Sequence, residues 1–124
     1  MTGLTPAQAE RLWSLRRRRT QVTNDIETLR QCESRMTGIR QRVATGVSRF
    51  REASRLNQAE WRGQTGTRFE SIRGQANANA QTSLSRMAEI IKSVGQRRSR
   101  LAIELTNINV SIRDLEQIAA RGGV

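Results

Sequence analysis

Leu15, Val22, Leu29, Met36, Val43 and Phe50 stand every seventh residue, and all are apolar. A second series, Leu12, Arg19, Ile26, Glu33, Arg40 and Val47, precedes each of them by three residues. Farther along, Leu84, Ile91, Arg98, Leu105 and Ile112 keep one such register, and Met87, Val94, Leu101, Ile108 and Leu115 keep its companion. Alternating steps of three and four residues put these side chains on one stripe of an α-helix. A stripe held over so many turns describes a long helix packed lengthwise on another helix. Two such registers in one chain predict an all-α antiparallel helical hairpin, coiled-coil-like in its packing.

The ends of the two arms carry their own signals. Thr5-Pro6-Ala7-Gln8 reads as a helix start, with Thr5 as the cap, Pro6 in the first turn and Gln8 reaching back to close a capping box. Thr67-Arg68-Phe69-Glu70 repeats the pattern. Between the arms, Gly63 and Gly66 supply the backbone freedom of a tight turn, and Trp61 and Phe69 flank it, placed to close the end of the groove. The expected organisation is one domain over 1–124, with helix 1 at about 6–58, the turn at about 59–66 and helix 2 at about 67–120. Gly122-Gly123 then follows the last turn, as glycine does past a helix C-terminus. Phe69, Ile72, Ala76, Ala80, Leu84 and Met87 include one extra four-residue step, a stutter that locally unwinds a supercoil. Gly38 and Gly46 each weaken the first arm by about 1 kcal/mol relative to alanine.

Charged residues interrupt the seam at Arg19, Glu33, Arg40 and Arg98. Their stems can lie along the groove with the heads in water. A sharper reading makes them register markers: a turn centred near residue 64 would bring Glu33 close to Arg98, and we expect those two to pair. Off the seam, Cys32 and Ile39 on the first arm and Ile90, Ile103 and Val110 on the second would stay wet in a two-helix hairpin. Such widened stripes suit a bundle completed by a partner chain, so these residues and Trp61 are the candidate partner-binding set.

The formal net charge is +11, and it is carried almost wholly by arginine. The surplus is spread over both arms rather than gathered in a tail, which favours an acidic protein partner, an anionic surface or nucleic acid. Arg16-Arg17-Arg18-Arg19 is the densest run. Four consecutive residues go right around a helix, so they form no flat recognition face. Cys32 is the only cysteine and histidine is absent, which leaves no intrachain disulfide, no zinc ligand set and nothing to activate the thiol. With no convergent carboxylates either, no catalytic role and no cofactor is expected. The N-terminal stretch lacks a general secretory signal pattern, and no apolar run is long enough to span a bilayer.

Trp61-Arg62-Gly63 between two long helices, with Phe69 eight residues after the tryptophan, resembles the WXG family of helical hairpins of type VII secretion. WRGQTGTRFESIR looks closest to the small helical proteins encoded beside LXG toxins in Gram-positive bacteria. The resemblance spans nearly the whole chain as architecture and is specific in sequence from Trp61 to about Arg73. It implies a non-enzymatic adaptor that binds the helical N-terminal domain of an LXG toxin, or a second WXG-like hairpin including its own copy. It also implies residence in the bacterial cytoplasm, then export or attachment to the cell envelope through the type VII machinery without a cleaved signal. Many secreted members carry a tyrosine followed four residues later by an acidic residue. Ile112 and Glu116 hold that spacing here without the tyrosine, so a partner would supply the export signal. The alternative from another class is an Arg-rich coiled coil binding nucleic acid electrostatically. Against it stand the lack of a groove-reading motif and the scarcity of aromatics for base stacking.

Overall fold

The computed structural model describes residues 3–57 and 63–122. They form two helices, α1 (Pro6–Asn57) and α2 (Gly63–Gly122), packed against each other as a hairpin, with no strand among the described residues. The capping box forms as the sequence predicts. The Thr5 N–H donates to Gln8 Oε1 at 3.0 Å, and the Gln8 N–H donates to Thr5 Oγ1 at 3.1 Å. Two otherwise orphaned backbone donors are thereby satisfied at the start of α1.

The hairpin consists of two compact units, a terminal unit (Met1–Cys32 with Val94–Val124) and a central unit (Glu33–Ser93). In the terminal unit the core is Leu12, Val22, Ile108, Ile112 and Leu115, with Leu4, Leu15, Ile26, Leu101 and Leu105 packed against it. Apart from Leu4, every one of these is a residue of the predicted seams. Leu4 arrives from the segment ahead of α1, which crosses the end of α2 so closely that Gly3 and Gly122 meet backbone to backbone. A Cβ on either glycine would strike the main chain of the other. These are positions where only hydrogen fits beneath the crossing chain.

The central unit has a thinner and more polar seam. Among its described residues, Leu84 and Ser54 are the buried ones. Arg40 sits half-buried on the seam, and its Nε–H donates to the Leu84 carbonyl at 3.1 Å, so the guanidinium gains an acceptor in the other helix. Toward the connection between the helices, Arg51 Nε–H donates to Asn77 Oδ1 at 3.4 Å. A cavity of about 510 Å³ opens there, lined by Ser48, Arg51, Glu52, Arg73 and Asn77.

Four expectations about this unit change. Ile72 is 65% exposed, and Arg73 turns inward in its place with its side chain 23% exposed. With Arg73 inward, half-buried Gly66, Glu70, Arg73, Asn77 and Ala80 lead into Leu84 in alternating steps of four and three, so the register runs on without the extra four-residue step. Phe50 holds a seam position but stays nearly half exposed. Finally, α2 begins at Gly63, so Gly63 and Gly66 are helical and Thr67 lies inside the helix rather than capping it. Gly66 is half-buried three residues ahead of half-buried Phe69. The inward stripe thus continues to Gly66, and a helix persists where its seam still finds a surface to cover.

Candidate functional site

Writing the seam positions as a and d of a heptad fixes where every other side chain points. In α1, Leu12 is an a residue and Leu15 a d residue; in α2, Leu84 and Met87 take those roles. The flanking e and g positions border the groove, c lies outside g, and f faces away from the seam. In the terminal unit the flanks are closed by charge. Arg16 and Glu116, both e residues, pair at 3.1 Å, and Arg18 and Glu104, both g residues, pair at 2.8 Å. Pairing of e with e and g with g is the signature of antiparallel neighbours. The Glu104 hydrogen bond, with help from the charges of Glu104 and Asp25, holds the Arg18 guanidinium above its ordinary range.

The arginine run resolves into four separate roles. Arg16 and Arg18 make those two ion pairs, Arg19 lies half-buried on the seam, and Arg17 stacks over the Trp13 ring with its guanidinium carbon 5.5 Å from the centroid. An i, i+4 contact of this kind gives exposed Trp13 a cationic cover. Ile112 is only 2% exposed in the core, and Glu116 is engaged with Arg16. Their four-residue spacing is accounted for by packing and pairing within the terminal unit.

The candidate partner-binding residues divide between the units. Ile39 and Ile90 belong to the central unit and are both g residues, about half exposed. Cys32, Ile103 and Val110 belong to the terminal unit and are exposed. Ile103 and Val110 are f residues on the back of α2, so they share no flank with Cys32. Trp61 lies outside the described residues, and Gly63, Gly66 and Phe69 occupy the first turns of α2. Glu33 belongs to the central unit and Arg98 to the terminal unit, each half-buried.

Two features escaped the sequence reading. In the central unit the g column of α1 is Ile39, Gly46 and Ala53, wholly uncharged, and the c column beside it runs Arg35, Arg42 and Arg49 before it ends at Leu56. The three g residues and the three arginines are exposed. The repeat of arginine every seventh residue was visible in the sequence, but it gains meaning only once the seam fixes which side it faces. A comparison with family profiles, with curated proteins and with solved structures found no match for this chain.

Proposed function

We propose that the protein is a non-enzymatic adaptor of type VII secretion, a WXG-like hairpin that binds the helical N-terminal domain of an LXG toxin, or a second hairpin, to complete an export-competent bundle. The observation that carries this reading is a two-helix hairpin on which exposed Ile39, Ile90, Ile103 and Val110 lie outside its own seam. Scattered exposed apolar residues are ordinary, but in the central unit Ile39 and Ile90 accompany a thin polar seam that a further pair of helices would shield. The surplus of positive charge favours an acidic partner. The Trp61-Arg62-Gly63 segment supports the family through its sequence alone. Among the described residues no helix is long and apolar enough to cross a membrane.

Co-expression with the N-terminal domain encoded by a neighbouring LXG toxin gene, followed by size-exclusion chromatography, tests the proposal. Co-elution as one species is the expected outcome, and persistent separate elution removes it. The second reading, electrostatic binding of nucleic acid, draws on the same charge surplus. It predicts duplex DNA binding whose affinity falls steeply as salt rises.

A further inference from the structure

We infer that the partner seats an acidic amphipathic helix lengthwise on one flank of the central unit, against Ile39, Gly46 and Ile90 and beside the row Arg35, Arg42 and Arg49. The inference rests on the proposed adaptor role and adds to it the face and the pattern of the partner.

Three observations converge on that flank. The first is its charge. Arg35, Arg42 and Arg49 are exposed, and among the described residues none of them meets a carboxylate. No acidic residue occupies a c or g position of either helix in this unit. The corresponding flank of the terminal unit is already closed by its own Arg18–Glu104 pair. The second is the uncharged rail. Ile39 precedes seam residue Arg40 as Arg18 precedes Arg19, and Ile90 precedes Ile91 as Glu104 precedes Leu105. Two isoleucines therefore border the groove on the flank that an ion pair holds in the other unit.

The third observation is Gly46, between Ile39 and Ala53 on the same rail. Glycine is unfavourable inside a helix, and nothing within the fold requires it here, because an added Cβ would meet no atom within 4 Å. The same holds at Gly38, and the two glycines help form an open depression lined also by Arg42 and Arg49. A hydrogen at Gly46 lets a second helix approach closely, as small residues do at helix contacts.

These features specify the partner. Arginines seven residues apart repeat about every 10 Å along a helix. A helix lying alongside would match them with glutamate or aspartate at the same seven-residue spacing, next to a stripe of small or aliphatic residues. A nucleic-acid backbone would answer the arginines but leave the isoleucine rail and the glycine without purpose.

The test uses the full chain and fluorescence anisotropy of three labelled probes. One is a four-heptad peptide with a leucine and alanine seam flanked by glutamates. The second is its lysine-for-glutamate twin, and the third is a short DNA duplex. The glutamate peptide should bind and the lysine twin should not. R42E/R49E should weaken the glutamate peptide at least about tenfold and transfer binding to the lysine twin. G46W, which fills the approach without altering charge, should weaken it by a similar factor while circular dichroism shows the hairpin intact. R100E/R113E, an equal charge change in the terminal unit, should shift affinity by less than about twofold. Equal sensitivity to both double reversals, indifference to G46W, or preference for the duplex over the glutamate peptide overturns the inference. If the co-expressed toxin domain still binds both R42E/R49E and G46W, this face falls while the adaptor role stands.

Discussion

At the scale of single residues, a helix assigns each side chain by its angle, and the arginines illustrate the result. Arg16 and Arg18 differ by two positions and engage opposite edges of the groove, so their charges stitch both flanks of the terminal unit. Arg40 shows how a seam tolerates a cation: the stem lies in the groove, and the head is anchored on the Leu84 carbonyl of the facing helix. Glycines separate into two kinds by what surrounds them. At Gly38 and Gly46 an added Cβ meets open space. Gly38→Ala and Gly46→Ala should each stabilise the hairpin by about 0.5–1 kcal/mol in urea denaturation, by removing the helix penalty and unfolded-chain freedom. Gly3 has the opposite surroundings, with the Gly122 backbone against it. Gly3→Ala should cost about 1–2 kcal/mol, or release the segment that carries Leu4, seen as lost protection of that segment in hydrogen exchange.

Within each helix the seam decides what a substitution does. Ile112 is 2% exposed and Ile103 is 64% exposed on the same helix, nine residues apart. Ile112→Ala should lose about 2–5 kcal/mol through lost burial and a residual cavity. Ile103→Ala should stay within about 0.5 kcal/mol. Equal losses in thermal denaturation would mean that the helix is rotated from the orientation described. This much was legible in sequence, because the heptads from Leu12 to Phe50 and from Leu84 to Leu115 keep one register through their charged interruptions, and the Thr5–Gln8 box is purely local. The phase around Ile72 was not. The segment Gly74 to Ala80 offers only small and amide side chains, so no bulky residue marks which positions face inward. The start of α2 at Gly63 was hidden for a related reason: glycine signals a turn locally, and only the continued inward stripe through Gly66 overrides it. The Gly3–Gly122 crossing joins residues from opposite ends of the sequence, and no local pattern announces such a contact. The partner-binding set was legible only in part. Exposure of Ile39 and Ile90 followed from the heptad, whereas the smooth rail and its arginine border required a fixed orientation.

For the whole molecule, the hairpin leaves part of its surface poorly suited to standing alone. Its terminal unit has a continuous aliphatic core, and its central unit substitutes arginine, asparagine and serine for much of that core. Local stability should follow that division. Amide hydrogen exchange should be slower around Val22 and Ile112 than around Phe50 and Asn77, and addition of a bound helical partner should narrow the difference. A hairpin equally protected along both units in the absence of partner would argue that its own seam suffices. The crossing of Gly3 over Gly122 carries a further consequence, one of attachment rather than of stability. Whatever is joined ahead of Gly3 and whatever is joined after Gly122 leave the hairpin from the same place. A donor fluorophore placed before Gly3 and an acceptor placed after Gly122 would therefore sit within efficient energy transfer. A linker of a few residues between those points would also let the chain be reopened at an exposed position elsewhere, giving a permuted hairpin with its seams undisturbed.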